Sequence, residues 1–253
     1  MNTDATRRFS DRVDNYVKYR PSYPPEVTDY LQRECQLQPG SPIADVGSGT
    51  GIFTRLLLEK GYHVYAVEPN EAMQNAAIGR FNGNPGFMAV NGTAEATTLA
   101  DNSVDLVVCA QAFHWFDAQK TKIEFRRILS EKGQVALIWN NRDAGTDEFA
   151  QAYESLLKQD SVDYNKVNHR NIGDIDFKAF FKDGQYLAVK FPNEQVFDED
   201  GLLGRAYSSS YVPQEGTEAG EKFRRMLKEI FARYNKNGEV SFRYQTEVYL
   251  GRV

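Results

Sequence analysis

Three glycines at alternate positions, with an acidic residue before them, form the stretch of this chain whose spacing is best suited to ligand binding. Asp45 ends a short apolar run. Gly47, Gly49 and Gly51 follow it, and apolar residues then continue at helical spacing. This order predicts a buried strand, a tight turn and a helix, which present backbone N–H groups at the carboxyl edge of a sheet. A second apolar run ends at Glu68, where a carboxylate can accept hydrogen bonds from ribose hydroxyls. We interpret the stretch as a nucleoside-binding site.

A dinucleotide site is the nearest alternative, because it shares the strand–turn–helix unit and the ribose-binding acid. Its usual fingerprint is G-x-G-x-x-G, whereas the third glycine here, Gly51, falls one position earlier. A pyrophosphate would need the longer turn. An NAD-dependent oxidoreductase therefore remains an alternative that the spacing does not favour.

A second group of reactive side chains follows the predicted fourth strand. Gln111, His114 and Trp115 come directly after this strand, at the same sheet edge as the glycine turn. An imidazole with a near-neutral pKa can accept a proton from a hydroxyl or an amine, and it can also donate a hydrogen bond to a carboxylate. His114 is therefore the candidate catalytic residue, with both roles open. No Ser-His-Asp pattern or nucleophile elbow supports a hydrolase.

Alternating strand and helix patterns predict an α/β fold. Five strands joined by right-handed crossovers form a mostly parallel twisted sheet, and a final pair closes it. After the run that ends at Asp45, the predicted strands cover 62–67, 87–90, 104–110, 134–139, 186–191 and 241–250. Predicted helices begin near Glu26, after Gly51, after Asn70 and near Ala118. A helix followed by a loop is expected in 141–182, and one short and one long helix (about 218–234) in 198–235.

The chain length of 253 residues is within the range that α/β folds fill as one domain. We expect an N-terminal lid segment over 1–40, a cofactor-binding core over 41–140 and substrate-side additions over 141–253. The lid segment should contain a short helix around 9–17 and, after several prolines, the helix that begins near Glu26.

Composition excludes several classes of function. The net charge is −5 and the basic residues are scattered, which argues against nucleic acid as a partner. Cys35 and Cys109 cannot form a disulfide framework, and three scattered histidines indicate no metal site. The polar N-terminus lacks the apolar core of a signal peptide, and no run is long enough to span a membrane. We therefore expect a cytoplasmic protein.

The motifs resemble those of one known family. Asp45-x-Gly47-x-Gly49-x-Gly51 with Glu68 is similar to the first two motifs of class I S-adenosylmethionine-dependent methyltransferases. Residues 91–95 (NGTAE) resemble the adenine-side motif. Residues 111–117 (QAFHWFD) resemble the segment after the fourth strand in the small-molecule branch that includes trans-aconitate methyltransferase-like enzymes. The resemblance implies a Rossmann-like seven-stranded sheet with helices on both faces and an antiparallel last strand.

The same resemblance implies which residues hold S-adenosylmethionine. The glycine turn would hold its amino-acid portion, with Asp45 near the ammonium group or ordering the turn. Glu68 would bind the ribose, Pro69 and Met73 would flank the adenine, and Ala94 and Glu95 would border its edge. The predicted cofactor-binding residues are Asp45, Gly47, Ser48, Gly49, Thr50, Gly51, Glu68, Pro69, Met73, Thr93, Ala94, Glu95 and Gln111.

Aromatic and basic side chains are the candidates for the acceptor side. Arg20 could hold a carboxylate of the acceptor through its guanidinium fork, or could bind the carboxylate of the cofactor. Trp115 is expected beside the sulfonium, because an aromatic face attracts a cation. The predicted substrate-binding residues are Tyr19, Arg20, Tyr23, Trp115, Asn140, Arg142, Tyr207 and Tyr211.

Methyl transfer from a sulfonium is an in-line displacement that needs no metal and gains much of its acceleration from positioning. The sequence therefore predicts S-adenosylmethionine-dependent methyl transfer to a small molecule, with carboxylic acids among the candidate acceptors. Besides the oxidoreductase, a non-catalytic cofactor-binding module remains open. The acceptor, the atom that is methylated and the oligomeric state are not determined by the sequence.

Overall fold

Seven strands form one sheet, and its order is set by crossovers on both sides of the first strand. The computed structural model describes residues 18–145, 147–161 and 172–253, so the helix predicted around 9–17 lies outside the described residues. The strands are β1 Pro42–Val46, β2 His63–Val67, β3 Phe87–Val90, β4 Val104–Ala110, β5 Leu129–Arg142, β6 Leu187–Phe197 and β7 Val240–Gly251. Their order is β3-β2-β1-β4-β5-β7-β6. Strands β1 to β5 pair in parallel, and β7 lies antiparallel between β5 and β6. The predicted mostly parallel seven-stranded sheet with an antiparallel last strand is confirmed.

Helices pack around this sheet. They are α1 Pro25–Glu34, α2 Ile52–Glu59, α3 Glu71–Phe81, α4 Ala118–Ile128, α5 Glu148–Asp160, α6 Asp174–Phe180, α7 Glu199–Tyr207 and α8 Glu218–Tyr234. The Asn70 side chain caps α3 by accepting a hydrogen bond from the Met73 amide at 3.0 Å. Within the described ranges, no helix is long and apolar enough to cross a membrane.

Alternating side chains of the central strands fill two apolar layers. In β1, Ile43 packs with α1 and α2 on one face, whereas Ala44 faces the layer that contains Phe113 and Phe125 on the other. Because both faces are covered, β1 and β4 are apolar along nearly their whole length. A third apolar cluster joins α5, α7 and α8 to the β6–β7 pair. This cluster builds the region that we expect to face the acceptor.

Strand β5 begins earlier than predicted. The fifth strand was predicted over 134–139, but the stretch Glu131 to Gly133 also lies inside β5. Leu129 pairs with Val104 and Gln134 pairs with Leu106, so the register shifts between these two pairs. The shift accommodates extra residues as a bulge, which is why polar residues and a glycine at this position do not interrupt the strand.

Two further predictions in the second half were wrong in extent. The sixth strand does not stop at Phe191 but continues through Pro192 to Phe197. It lies at the sheet edge, where a proline can be placed without loss of a ladder hydrogen bond. Part of the predicted loop before residue 182 is helix α6, because Phe177 and Phe180 are buried against the sheet.

Candidate cofactor and acceptor site

The glycine turn connects β1 to α2 at the carboxyl edge of the sheet. Gly47, Gly49 and Gly51 all have positive φ angles, of 71°, 57° and 80°. The amides of Gly47 and Ser48 both donate to the Val67 carbonyl at the end of β2, at 2.9 and 3.2 Å. The turn is therefore held against the neighbouring strand and keeps a left-handed backbone that favours glycine.

The three glycines are required for different reasons. A Cβ added at Gly47 would lie 2.6 Å from the Ala112 Cβ, and one at Gly51 would lie 2.4 Å from Phe81 Cε2. A Cβ at Gly49 would meet only the Met73 sulfur, at 3.6 Å. The outer two glycines thus allow close packing within the protein, whereas the middle glycine leaves room beside Met73.

Glu68 joins the glycine turn to the start of α3. Its Oε2 accepts a hydrogen bond from the Gly49 amide at 2.9 Å, and its Oε1 accepts one from the Asn70 amide at 2.8 Å. Burial raises the pKa of Glu68, while the two amide donors act in the opposite direction. A carboxylate has about four acceptor positions, so two remain for hydroxyl groups of a ligand.

Buried polar atoms without partners surround the same turn. Asp45 accepts a hydrogen bond from Thr54 Oγ1 at 2.6 Å through Oδ2. Its Oδ1, Ser48 Oγ and Thr50 Oγ1 are buried and have no hydrogen-bond partner among the described residues. Burial raises the pKa of Asp45 to about 7. Because buried polar atoms are normally paired, this group fits a ligand that carries its own donors and acceptors, as the amino-acid portion of S-adenosylmethionine does.

The residues predicted around the adenine have separate contacts in the structure. Met73 is buried beside Gly49, and Ala94 is buried in the layer under β2 and β4. Thr93 and Ala96 form a short backbone bridge. Glu95 Oε1 accepts a hydrogen bond from the Asp117 amide at 2.9 Å. The Glu95 carboxylate therefore holds the start of α4, a contact that the sequence did not predict.

The segment after β4 is also tied to β5. Gln111 has a φ of +59°, its amide donates to the Ile138 carbonyl at 2.8 Å, and its Nε2 donates to the Asn140 carbonyl at 3.3 Å. Trp139 Nε1 donates to His114 Nδ1 at 3.4 Å. A neutral imidazole that accepts at Nδ1 carries its proton on Nε2. This contact favours His114 as a hydrogen-bond donor, and Trp139 is a residue that sequence reasoning missed.

Trp115 adjoins His114 in a short 3₁₀ helix, Phe113–Trp115. The His114 and Trp115 ring centroids are 5.0 Å apart and the planes are tilted by 42°. Both side chains are half-buried. The structure therefore brings together the two aromatic residues that the sequence placed on the acceptor side of this edge.

The N-terminal segment is fastened to the sheet by two asparagines. The Ser22 carbonyl accepts hydrogen bonds from Asn140 Nδ2 at 3.1 Å and from Asn193 Nδ2 at 2.8 Å. Asn140 Oδ1 also accepts from Asn193 and from Thr246 Oγ1. Asn140 was predicted to bind substrate, and in the structure its side chain anchors the N-terminal segment. Asn193 was not predicted.

Other predicted acceptor residues pack within the protein. Tyr23 packs edge-on against Phe53, with ring centroids 5.0 Å apart. Tyr19 covers Gly204, where an added Cβ would lie 2.1 Å from its ring. The Tyr207 hydroxyl donates to the Gly220 carbonyl at 3.0 Å, so this tyrosine joins α7 to α8.

Charged residues lie where α7, β5 and the N-terminal segment meet. Arg20 Nη2 donates to the Ser208 carbonyl at 3.0 Å, and Arg142 Nη2 donates to Glu154 Oε2 at 2.6 Å. Burial acts to raise the pKa of the Tyr211 phenol, but Arg142, Arg205 and Arg20 outweigh it and the pKa is lowered. The three guanidinium groups therefore act electrostatically on Tyr211. Arg205 is a further residue that sequence reasoning missed. Across the described part of the chain, no three His, Cys, Asp or Glu side chains come together in a way that could hold a metal ion.

A parallel sheet in this order, with a glycine turn after β1 and an acid after β2, defines a Rossmann-like methyltransferase fold. Residues 44–137 match the family described as methyltransferase domain. A methyltransferase-like protein of Schizosaccharomyces pombe is 36% identical over 244 residues, which cover 95% of this chain and 93% of that protein. The chain therefore belongs to the methyltransferase family.

Other similarities agree with this assignment. A methyltransferase of Mycobacterium tuberculosis is 39% identical over 140 residues, which cover 55% of this chain and 55% of that protein. This chain therefore spans about half the length of that relative. A protein from Anaeromyxobacter dehalogenans assigned as a type II methyltransferase has a similar structure, with a TM-score of 0.66, 23% identity and coverage of 92% of this chain and 98% of that one. A methyltransferase from Thiobacillus denitrificans, solved with S-adenosyl-L-homocysteine, has a TM-score of 0.53 at 18% identity, over 96% and 98% of the two chains. The prediction of S-adenosylmethionine as the cofactor is confirmed at the level of the family.

Proposed function

We propose that this protein transfers the methyl group of S-adenosylmethionine to a carboxylate of a small-molecule acceptor. The observation that carries the proposal is that the Gly49–Glu68 turn and Arg142, which ends β5, lie at the same carboxyl edge of the parallel strands. Arg142, Arg20 and Arg205 act on the same phenol, that of Tyr211. The turn fits an adenosyl amino acid, and guanidinium groups are well suited to hold a carboxylate in a fixed orientation. We also propose that the protein belongs to the trans-aconitate methyltransferase-like branch and that it is cytoplasmic. We propose further that the chain forms a single domain with the three segments expected above.

S-adenosylmethionine, when bound, supplies an electrophilic methyl group on a sulfonium. Glu68 would bind the ribose hydroxyls through its two free acceptor positions. Burial raises the pKa of the Asp45 carboxyl group, and a nearby cation would favour its ionised form. Asp45 Oδ1 is therefore suited to pair with the ammonium group of the cofactor. Pro69 and Met73 would flank the adenine, with Ala94 at its edge.

His114 would orient the acceptor and not deprotonate it. A carboxylic acid has a pKa of about 4 and is already ionised at neutral pH, so its methylation needs no general base. The contact from Trp139 to His114 Nδ1 places the proton of a neutral imidazole on Nε2, and this Nε2–H would donate to a carboxylate oxygen of the acceptor. Together with Trp115, this residue would exclude water and hold the reacting oxygen in line with the methyl group.

The proposal is tested by measuring S-adenosylhomocysteine release with a panel of small carboxylic acids and their amides. We expect release above background with one or more acids, and formation of the corresponding methyl ester by mass spectrometry. Cofactor binding with only slow background hydrolysis across the panel would contradict carboxylate methylation and favour a non-catalytic cofactor-binding module.

A further inference from the structure

A buried arginine in α7, Arg205, has no counter-ion among the residues that the structure describes. Arg205 is 5% exposed, and its Nη1 donates to the hydroxyls of Ser209 and Ser208 at 3.1 and 3.5 Å. Its Nε has no hydrogen-bond partner, and no ion pair joins Arg205 to any residue that the structure describes. Removing a guanidinium from water carries a large free-energy penalty, so buried charges are normally paired.

The surroundings of Arg205 do not neutralise it. Burial acts to lower its pKa, but the phenols of Tyr244, Tyr153 and Tyr211 outweigh this effect and the pKa is raised, so the group stays cationic. A phenol that keeps its proton donates and accepts hydrogen bonds but supplies no negative charge. The C-terminus of α7 contributes the equivalent of about half a negative charge, which is less than the charge of one guanidinium.

A second buried polar atom lacks a partner in the same cluster. The Tyr153 hydroxyl is fully buried and has no hydrogen-bond partner within the described ranges. Arg142 lies over the Tyr153 ring, with its guanidinium carbon 4.6 Å from the centroid. Its own charge is balanced by Glu154 at 2.6 Å. Two donors, Arg205 Nε and the Tyr153 hydroxyl, therefore have no acceptor in the described part of the chain.

This cluster adjoins the candidate acceptor site. Arg20, from the N-terminal segment that Asn140 anchors, donates to the Ser208 carbonyl directly after α7. Arg142 ends β5, two residues after Asn140, whose carbonyl accepts from Gln111. A ligand bound against Arg205 would thus lie between the N-terminal segment and the edge that carries His114.

We propose that Arg205, with Arg142, Tyr153 and Tyr211, binds a carboxylate group of the methyl acceptor, and that this carboxylate is the missing counter-ion. The inference rests on the proposed function, because it assigns a binding group to the acceptor of that reaction. A guanidinium pairs with a carboxylate through two parallel hydrogen bonds, which would satisfy the free Nε. The Tyr153 hydroxyl would donate to the same anion.

The test compares Arg205→Met with wild type and with Arg225→Met, a control at an exposed arginine of α8. Each protein is titrated with succinate, citrate and benzoate, with succinamide and benzamide as uncharged controls, at matched ionic strength. We expect a carboxylate to raise the melting temperature of wild type and the control, and to bind Arg205→Met about tenfold to a hundredfold more weakly. Without ligand, Arg205→Met should be at least as stable as wild type, because an apolar side chain replaces an uncompensated buried charge.

Several results would overturn the inference. These are no carboxylate binding to wild type, equal binding to Arg205→Met, stabilisation by inorganic phosphate as strong as by the carboxylates, or a ligand-free Arg205→Met less stable than wild type. Arg205→Lys keeps the charge without the two-pronged guanidinium, and it should also bind the carboxylate more weakly than wild type does. Titration of the same proteins with S-adenosylhomocysteine separates the two proposals. If wild type does not bind S-adenosylhomocysteine, the proposed function is contradicted, whereas carboxylate binding at Arg205 is tested by the titrations above.

Discussion

Alanine substitutions in the glycine turn should separate packing from cofactor binding. In Gly49→Ala the new Cβ would meet only the Met73 sulfur at 3.6 Å, an ordinary contact. The cost is then the left-handed backbone of a non-glycine residue, about 1–2 kcal/mol. In Gly51→Ala the same cost applies, and the Cβ would also overlap Phe81 at 2.4 Å. Overpacking adds about 1–3 kcal/mol, so the total loss of stability is about 2–5 kcal/mol.

Cofactor affinity should follow the opposite order. A methyl group at Gly49 would occupy the space beside Met73 that the account assigns to the cofactor, so S-adenosylhomocysteine should bind Gly49→Ala at least about tenfold more weakly, the equivalent of about 1.4 kcal/mol. Gly61→Ala is a matched control, because Gly61 also has a positive φ, of 77°, and its Cβ would lie 3.9 Å from Pro39. It should lose about as much stability as Gly49→Ala without a change in affinity.

The assays are urea unfolding for stability and isothermal titration with S-adenosylhomocysteine for affinity. The reasoning is refuted if Gly49→Ala binds the ligand as tightly as wild type does, or if Gly49→Ala and Gly51→Ala lose the same stability. In either case the three glycines would all serve the same role in packing.

Two further predictions concern Asp45 and Asn140. Because burial raises the pKa of Asp45 to about 7, its contribution to stability is complete below about pH 4 and is lost as the pH rises through 7, with a slope of about 1.4 kcal/mol per pH unit. Asp45→Asn should therefore flatten the fall in urea-unfolding stability between pH 5 and 7, and an unchanged slope would contradict this. Asn140→Ala should lose about 1–3 kcal/mol and should speed trypsin cleavage after Lys18, because Ser22 loses one of its two anchors. Equal cleavage rates would show that Asn140 does not hold the segment.

Local sequence patterns predicted most of the strands and helices correctly. Strands β3 and β4 begin and end where predicted, because turn residues such as Gly86 and Asn102 bound short apolar runs. The limits of β5 and β6 were missed, since a bulge and an edge position are properties of the neighbouring strands and not of the residues themselves. The long helix α8 was predicted at its observed bounds, as its amphipathic pattern extends over its whole length.

The glycine turn was predictable because its parts are close in sequence, with Glu68 and Gly49 only 19 residues apart. The acceptor side of the site was less predictable from the sequence. Asn140 and Ser22 are 118 residues apart and Asn193 and Ser22 are 171 apart, so no local pattern indicates that they meet. Arg205 lies in a helix of ordinary composition, and only the folded structure shows that no described residue forms an ion pair with it.

Cofactor binding at Glu68 is the central claim, and a thermal-shift titration with S-adenosylhomocysteine tests it most directly. The titration is run beside NADH, on wild type and on Glu68→Ala. A ligand that binds only the native state raises the melting temperature by mass action. The account predicts stabilisation of wild type by S-adenosylhomocysteine and not by NADH, and a much weaker shift in Glu68→Ala. No shift of wild type with S-adenosylhomocysteine, or a shift with NADH alone, would contradict it.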